Sequence, residues 1–475
     1  MIFSQVLYLV IALLYIVTII ASIVVVLSEN RNPIRSLAWV IALIFLPGVG
    51  LIFYLFFGRG LKGMRMVSRR NKRRLRQTPR PQRIDLNSLD LSGNNRQLVK
   101  LAYTIGSYPL TLNNKIDIFT TGLTKFESLK INLKHATQSI YLQYYIFSDD
   151  ELGEEIAEIL IEKASKGVDV KVIYDHVGSF SASSRFFKRM SQSGVEVHPF
   201  FRVTFPQLAN RINWRNHRKI CIIDNRVAYI GGMNIADRYV KGLENGLAWR
   251  DTHFRVTGDI VGSLLFSFAL DWNFMNPNPA HIDLRVAKSD TINTTGMQLV
   301  TSGPVNIWDN LSLCYLQAIS NAKKSIYIQT PYFLPTDALM HALEVASLSR
   351  VDVRIMIPGK SDSRLLQLAT YSYVTQCLKA GIKVYVYEPG MIHAKTMTVD
   401  EDFVTAGSTN FDFRSLENNF EANLLIYDKE VNSKMRDIFF SDLEHCTKLT
   451  ASEWIRRPKL QRGLESIVRL LSPIL

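Results

Sequence analysis

Two motifs of the same pattern hold the residue types that could perform chemistry. In each, a lysine follows a histidine by two positions, an aspartate follows the lysine by five, and an asparagine follows the aspartate by ten. The motif residues are His217, Lys219, Asp224 and Asn234 in the first copy, and His393, Lys395, Asp400 and Asn410 in the second. Because alternate residues of a strand face the same side, we expect each histidine to share a face with its lysine.

An imidazole beside an ammonium group is a poor metal site, since the cation repels a metal ion. The pair suits a phosphate group, because the imidazole can attack phosphorus while the ammonium stabilises the non-bridging oxygens. Two such motifs facing each other would place one imidazole on each side of phosphorus, one as the nucleophile and the other as general acid and base. We therefore predict catalysis at phosphorus with no metal ion and no cofactor.

The remaining motif residues are predicted to hold the phosphate or to shape the turns. Asn234, Asn410 and the hydroxyl of Ser408 are predicted to donate hydrogen bonds to the phosphate oxygens, whereas Gly232 stands where the second copy has Ser408. Asp224 and Asp400 complete the catalytic motifs, but each begins a polar turn. For the two aspartates we favour a structural role over direct chemistry.

The part of the chain that carries the motifs contains an internal duplication. Three segments recur in the same order: Ser139–Gln143 with Ser325–Gln329, Val168–Ile173 with Val351–Met356, and Gly194–Val197 with Gly381–Val384. In each copy, apolar strand-like runs alternate with helical patterns, which indicates an α/β sheet. We predict one domain over residues 113–278 and a second over residues 288–475, joined by the turn-rich segment Asn276–Pro279.

The N-terminus contains two long uncharged segments, Ile2–Leu27 and Leu37–Phe57. Each exceeds the roughly 20 residues that cross the hydrocarbon core of a bilayer. A cleaved signal peptide is disfavoured, because no cation precedes the first segment and its apolar run is too long. We predict a transmembrane hairpin over residues 1–58, with the second segment kinked or re-entrant at Pro47, Gly48 and Gly50.

Most of the positive charge follows this hairpin. The formal net charge is +14, and eleven cations with no acid lie between Gly58 and Arg83. By the positive-inside rule, both ends and the large remaining part face the cytoplasm. We predict that residues 59–112 form a basic juxtamembrane segment and linker, with the cations on anionic lipid headgroups. A nucleic-acid tail is the competing interpretation, which the position beside a span disfavours.

Composition excludes other classes of protein. Hydrophobic residues make up 47% and charged residues 21% of the chain, so it is not a disordered protein. The four cysteines, Cys221, Cys314, Cys377 and Cys446, lie far apart without metal-type spacing. They indicate reduced, mostly buried thiols rather than a disulfide scaffold.

The two motifs resemble the paired signature of the phospholipase D superfamily, and the chain resembles, more narrowly, its bacterial cardiolipin synthases. The supporting segments are Asn30–Arg59, Asn213–Asp237, Trp249–Asp251, Ser302–Pro304, Gln329–Leu334 and Arg469–Leu475. The resemblance implies two pseudo-symmetric α/β domains that share one active site and form a phosphatidyl-histidine intermediate. It implies His217 as the nucleophile and His393 as the acid and base. It also implies an acid behind each imidazole, with Glu421 in the second half and Asp251 in the first.

For the reaction, the resemblance implies transfer of a phosphatidyl group from one phosphatidylglycerol to another, which gives cardiolipin and glycerol. The partners would be phosphatidylglycerol and anionic membrane lipid, with no nucleic acid, at the cell membrane with cytoplasmic catalytic domains. Two alternatives share the site but change the acceptor: water, as in a phospholipase D, or serine, as in a phosphatidylserine synthase. A membrane-tethered nuclease is a remoter alternative, whose binding should weaken steeply with salt.

Overall fold

The computed structural model describes residues 2–28, 33–46, 48–54, 58, 91–203, 214–243, 246–276, 282–286 and 295–472. The predicted lipid-contacting cations between residues 59 and 83, and the greater part of the predicted link at residues 277–279, lie outside these residues.

The described residues of the N-terminal region form three helices: α1 (Ile2–Ser28), α2 (Pro33–Phe45) and α3 (Val49–Phe53). Helix α1 contains neither proline nor glycine, so nothing in its sequence interrupts the helical hydrogen bonds. The ring of Trp39 meets that of Tyr54 edge to face, with centroids 5.5 Å apart. In the described parts of the chain, no helix qualifies as long and apolar enough to cross a membrane.

The first half of the remaining chain is built on a seven-stranded mixed sheet, in the order β1-β8-β6-β5-β2-β3-β4. Strands β2, β3 and β4 are parallel to one another, and the other pairs are antiparallel. The elements after the N-terminal region are α4 (Gly93–Gly106), β1 (Asn114–Phe119), α5 (Gly122–His135), β2 (Ser139–Tyr144), α6 (Glu151–Ser165), β3 (Asp169–Asp175), α7 (Ser184–Gln192), β4 (Glu196–Phe200), β5 (Ile220–Ile223), β6 (Val227–Gly231), α8 (Arg238–Lys241), β7 (Ala248–Arg250), β8 (His253–Gly258) and α9 (Ile260–Met275).

The second half is built on an eight-stranded sheet, in the order β19-β13-β12-β10-β15-β16-β18-β9. Its elements are β9 (Gly296–Ser302), α10 (Asn310–Ser320), β10 (Ser325–Gln329), β11 (Phe333–Leu334), α11 (Asp337–Leu348), β12 (Asp352–Pro358), α12 (Arg364–Lys379), β13 (Lys383–Tyr387), β14 (Gly390–Ile392), β15 (Thr396–Val399), β16 (Phe403–Gly407), β17 (Phe411–Asp412), a π-helical turn (Arg414–Asn418), β18 (Glu421–Tyr427), α13 (Lys429–Leu443), β19 (Cys446–Lys448), α14 (Ala451–Ile455) and α15 (Lys459–Arg469). Read from β9, seven of the strands repeat the order of the first sheet. The predicted duplication of an α/β unit is therefore confirmed in the topology.

Buried central strands explain why the sequence forms these sheets. Every residue of β2 and of β10 is buried, as expected for central strands of a sheet that is covered on both faces. The helices begin where capping side chains satisfy the free backbone N–H groups. The Asp150 carboxylate, for example, accepts a hydrogen bond from the Gly153 N–H (3.1 Å) at the start of α6.

Helix α4 belongs to the packing of the second sheet, although it precedes the first sheet in the chain. Its residues Leu98, Val99 and Ala102 are buried in one apolar cluster with Val300 and Leu311 of the second half. Residues 91–112 lie in the segment that the sequence predicts to be a linker, without a helix or strand of its own.

Two short contacts between backbone strands join the halves. Strand β7 of the first half pairs in parallel with β14 of the second, and Asn216 forms an isolated parallel bridge with Phe420. Each contact lies directly beside one of the two motif histidines in the chain.

Candidate active site

The first motif histidine is held by backbone and side chains from both halves. The His217 N–H donates to the carbonyl oxygen of Phe420 (2.9 Å). The residues before it are fixed by the buried Asp175 at the end of β3, whose carboxylate accepts from the Asn216 N–H (2.8 Å) and from Arg215 Nη1 (3.3 Å). This places the imidazole at the junction of the two halves.

Glu421 is the acid behind the His217 ring. Nδ1 of His217 lies 2.9 Å and 3.1 Å from the two carboxylate oxygens. The same carboxylate accepts a hydrogen bond from the Ser408 hydroxyl and one from Asn419 Nδ2 (3.3 Å). Since a carboxylate can only accept, Nδ1 carries the proton, and Nε2 keeps its lone pair.

Asp251 is the acid behind the His393 ring. Its Oδ2 lies 2.6 Å from Nδ1 of His393, and its Oδ1 accepts from the Thr252 N–H (2.7 Å). The His393 N–H donates to the carbonyl oxygen of Arg250 (2.6 Å). Lys395 adds a cation here, with Nζ 2.7 Å from His393 Nδ1 and 3.9 Å from Asp251 Oδ2.

The pairing of acids and imidazoles crosses the two halves, which corrects the expected assignment within each half. Glu421 of the second half supports His217 of the first, and Asp251 of the first half supports His393 of the second. The reason is the strand contacts. The Asn216–Phe420 bridge and the β7–β14 pair align each acid with the histidine of the opposite half.

The two motif lysines are buried beside the backbone of their own histidines. Lys219 Nζ donates to the carbonyl oxygen of His217 (2.6 Å), and Lys395 Nζ donates to that of His393. Burial lowers the pKa of Lys219 well below its ordinary value and lowers the pKa of Lys395 to about 8, although neighbouring carboxylates oppose the shift. Each motif thus has an ammonium group within reach of the ring that it accompanies.

Both imidazoles are neutral at neutral pH. Burial lowers the pKa of His217 to about 4 and that of His393 to about 4, although the carboxylate beside each ring favours the charged form. Burial raises the pKa of the Glu421 and Asp251 carboxyls, but the neighbouring histidines and lysines outweigh it and leave both pKa values below the ordinary range. The resting site therefore pairs neutral rings with ionised carboxylates.

Asp224 and Asp400 do not join this cluster, although the motif pattern groups them with the histidines. Asp224 follows β5 and accepts hydrogen bonds from the backbone N–H groups of residues 137–139. Asp400 follows β15 and accepts from those of residues 323–325. Each carboxylate fixes the chain ahead of a central strand, the structural role that we favoured, and a direct catalytic role finds no geometric support.

The predicted phosphate donors differ in their placement. Asn234 is occupied: its Oδ1 accepts from the Ile146 N–H (3.1 Å) and its Nδ2 donates to the Tyr239 hydroxyl (2.6 Å). Asn410 is buried, and its Oδ1 has no hydrogen-bond partner among the described residues. The Ser408 hydroxyl is directed at Glu421 rather than at open space.

Gly232 is required by the position of Asp251. A Cβ atom at residue 232 would lie 2.1 Å from Asp251 Oδ1, well inside van der Waals contact. The difference between Gly232 and Ser408 is therefore a difference in how the two acids are held: Glu421 has a hydroxyl donor behind it, and Asp251 packs directly against the backbone.

Aromatic rings line the two histidines unequally. Tyr145 meets the His217 ring edge to face, with centroids 4.9 Å apart, and Lys219 Nζ lies 5.3 Å from the Tyr145 ring centroid. Trp249 and Tyr239 lie 5.1 Å and 5.9 Å from the His393 ring. These rings reduce the access of water to the imidazoles.

Two buried ion pairs that were not predicted from the sequence lie next to the residues of the site. Arg218 donates through Nη1 to Asp271 and through Nε to the carbonyl oxygen of Glu421 (3.1 Å). Arg250 pairs with Asp442 (2.7 Å), which also accepts from Gln329 Nε2 (2.8 Å). Arg218 and Arg250 are adjacent in the chain to His217 and Asp251, so these two arginines could have been identified from the sequence. Their partners, Asp271 and Asp442, are distant in sequence and could not.

The two motif histidines, the two motif lysines, Glu421 and Asp251 lie close enough to act on one another electrostatically across the two halves. This is the arrangement expected of a single site that binds a phosphate between two imidazoles. No group of three or more metal-binding side chains occurs within the described residues. The chemistry that the arrangement supports is nucleophilic attack by a neutral imidazole, with a second imidazole positioned to transfer protons.

Comparison with known proteins identifies the family of this chain. A family model described as "Cardiolipin synthase, PLD-like domain" matches residues 129–262 and 315–443, and a second model, "Phospholipase_D-nuclease N-terminal", matches residues 16–59. The chain is 39% identical over 479 residues to the major cardiolipin synthase of Bacillus subtilis, with 98% of each chain covered. It is 38% identical over 475 residues to a cardiolipin synthase of Listeria monocytogenes, again with 98% of each covered.

Among solved structures, the phosphatidylserine synthase of Haemophilus influenzae superposes with a TM-score of 0.63 at 14% identity. The match covers 80% of this chain and 100% of that one. At this level of identity, the likeness concerns the fold alone.

Proposed function

Because this chain belongs to the family of cardiolipin synthases with phospholipase D-like domains, we propose that it joins two phosphatidylglycerol molecules into cardiolipin and releases glycerol. The observation that carries the proposal is the crossed pair of imidazoles, each with an acid from the opposite half. Relatives of nearly the same length that are named cardiolipin synthases support the identity of the substrate.

In the first step, Nε2 of His217 attacks the phosphorus of one phosphatidylglycerol. A nitrogen–phosphorus bond forms, and the bond from phosphorus to the headgroup glycerol oxygen breaks. His393 gives a proton to that oxygen, so glycerol leaves as a neutral alcohol. The anionic phosphate favours the protonated form of the nearby imidazole and so opposes the low pKa that burial imposes.

In the second step, a terminal hydroxyl of another phosphatidylglycerol attacks the phosphatidyl-histidine. His393 removes the hydroxyl proton, the nitrogen–phosphorus bond breaks, and cardiolipin forms. Lys219 and Lys395 stabilise the charge on the non-bridging oxygens in both steps, and Asn410 is proposed to donate to the same oxygens, whereas the Ser408 hydroxyl is engaged by Glu421. One phosphodiester replaces another, so the exchange needs no nucleotide.

Two assignments within this scheme rest on the family rather than on the geometry. The order of roles, with His217 as nucleophile, is one, because both rings are buried and supported alike. The acceptor is the other, because the site holds the phosphate and not the alcohol. Water or serine as acceptor would make the protein a phospholipase D or a phosphatidylserine synthase, and a tethered nuclease remains the remoter alternative.

Product analysis tests the acceptor. The purified chain in detergent micelles is supplied with phosphatidylglycerol labelled in its acyl chains, alone and with added serine. We expect labelled cardiolipin and free glycerol in both cases. Phosphatidic acid as the main product would indicate a phospholipase D, and phosphatidylserine in the second reaction would indicate a phosphatidylserine synthase.

We further propose that the N-terminal region holds the enzyme at its substrate. Residues 2–27 lack charge, and the basic segment at 59–83 complements anionic headgroups. In this proposal residues 1–58 form a membrane hairpin, and the two domains, at residues 113–278 and 288–475, face the cytoplasm.

A further inference from the structure

The last helix of the chain, α15, packs one of its faces on helix α12. Glu465 and Val468 are buried, and Arg469 Nη2 donates to Gln376 Oε1 on α12 (2.9 Å). The Arg469 guanidinium also lies over the ring of Tyr373, 4.2 Å from its centroid. These contacts fix the rotation of the helix, so the direction of its other faces is determined.

Another side of α15, continued into the turn that follows it, presents an apolar stripe to the outside. Leu460, Leu464, Ile467 and Leu471 recur at the spacing of one helical face, and they are 79%, 46%, 62% and 39% exposed. A helix at the surface normally turns its apolar stripe toward the core. Here the buried face is the one that carries Glu465 and Arg469, and the apolar stripe faces outward.

Positive charge surrounds this stripe. Residues 456–472 contain five cations, Arg456, Arg457, Lys459, Arg462 and Arg469, and one acid, Glu465. The acid is neutralised by Arg457, whose Nη1 lies 2.6 Å from its Oε1. Arg456, Lys459 and Arg462 are exposed, so the exposed surface of the helix outside the stripe, together with the turn before it, is basic and has no exposed acid within these residues.

We propose that α15 lies in the headgroup layer of an anionic bilayer, with the stripe of Leu460, Leu464, Ile467 and Leu471 inserted among the acyl chains. An outward apolar stripe flanked by cations fits an interfacial helix, which gains from apolar burial and from attraction to anionic lipid. A second copy of the chain fits less well, because a symmetric contact through this face would bring the cations of two copies together. The inference rests on the proposed function only in taking a lipid bilayer as the substrate phase.

The test places an environment-sensitive fluorophore on the stripe of the full chain. Cys446 is replaced by serine, since the other three cysteines are buried, and the dye NBD is attached at Leu464→Cys. The matched control carries the dye at Ser466→Cys, an exposed position on another side of the same helix. All chains also carry His217→Ala, so no product forms and the outcome is independent of the transfer reaction.

The labelled chains are reconstituted into vesicles of phosphatidylcholine alone and of phosphatidylcholine with an equal part of phosphatidylglycerol. With phosphatidylglycerol present, we expect a blue-shifted emission from residue 464, strong quenching by brominated acyl chains, and neither effect from residue 466. Added salt or phosphatidylcholine alone should reduce the shift.

Three results would overturn the proposal. The first is an unshifted emission from residue 464 in every vesicle. The second is an equal shift with and without phosphatidylglycerol. The third is a shift that resists brominated lipid and disappears on dilution with unlabelled chain, which would show that a second copy covers the stripe.

Discussion

At the scale of residues, the site works through two hydrogen bonds that orient the imidazoles. Glu421 and Asp251 hold Nδ1 of His217 and His393, so both Nε2 atoms are free to meet phosphorus or a proton. Burial keeps the rings uncharged until a phosphate enters. The resting enzyme therefore contains a neutral imidazole that can act as the nucleophile. Binding of the anionic phosphate favours the protonated form of the second imidazole, which can then act as the acid.

Gly232 is predicted to position Asp251. In Gly232→Ala, the added methyl group would overlap Asp251 Oδ1 and displace the carboxylate from His393. We expect kcat to fall by about a hundredfold, since a shift of about 1 Å in a catalytic group has that effect. Ser408→Ala is the matched control, because it removes a hydroxyl without adding volume and should cost less. Equal kcat values for Gly232→Ala and the unchanged chain would contradict the positioning role.

The identity of the nucleophile can be tested by trapping. A lipid with a nitrophenol leaving group needs little protonation, so His393→Ala should still complete the first step and accumulate a phosphoramidate on His217. His217→Ala should form no adduct. Mass spectrometry of fragments prepared without acid would locate the added mass, and an adduct on His393 would reverse the two roles.

The low pKa values of the imidazoles predict how stability changes with pH. Each ring has a pKa of about 4 when folded and about 6.5 when unfolded, so between these values the unfolded state binds more protons. The contribution is fully present above pH ~6.5 and is lost as the pH falls toward about 4, at up to about 1.4 kcal/mol per pH unit for each ring. As the pH falls over this range, the melting temperature of the unchanged chain should decrease more steeply than that of the double variant His217→Asn/His393→Asn. Identical slopes for the two proteins would exclude neutral buried rings.

The motif residues could be predicted from sequence because each motif is local. His217 and Lys219 lie two positions apart, and a strand places them together. The acids could be named only by resemblance, and their partners were assigned to the wrong halves. His217 and Glu421 are 204 residues apart, and only the packing of one half on the other determines which acid meets which ring.

At the scale of elements, the strands were predictable and their cross-contacts were not. The repeated segments Ser139–Gln143 and Ser325–Gln329 became the central strands β2 and β10. Helix α4 was missed because its interior buries few apolar residues and its apolar partners come from the second half. The three-residue pair of β7 with β14 carries no periodic signal, yet it sets the place of Asp251.

Arg218 is predicted to hold the strand that carries Glu421. It is buried, pairs with Asp271 and donates to the Glu421 carbonyl oxygen. Arg218→Met would leave the Asp271 carboxylate buried without its cation, which typically costs about 3–5 kcal/mol. We expect a clearly lower melting temperature, whereas Arg285→Ala, which removes an exposed ion pair with Asp283, should leave it nearly unchanged. Equal effects of the two substitutions would show that the buried pair contributes no more than a surface pair.

At the scale of the whole molecule, duplication explains why one site needs both halves. Each half supplies one imidazole, one lysine and the acid for the other half's imidazole, so neither half alone contains a supported histidine. The same architecture makes the motifs nearly equivalent, and the differences that remain are small. Ser408 stands in the second motif where Gly232 stands in the first. Tyr145 lies against the His217 ring, whereas Trp249 lies against the His393 ring.

The last prediction concerns what the N-terminal region contributes to catalysis. Both motifs and both sheets lie beyond residue 113, so a chain that lacks residues 1–58 should fold and keep its activity on phosphatidylglycerol in detergent micelles. On vesicles its activity should fall several-fold, because an anchored enzyme meets lipid at a high effective concentration and a released one must first bind the surface. The measurement is cardiolipin formed per unit time by both chains, on micelles and on vesicles of the same phosphatidylglycerol. Equal rates on vesicles would mean that the other basic and apolar surfaces of the chain suffice for lipid contact, while a loss on micelles as well would assign the N-terminal region a part in folding or in the site itself.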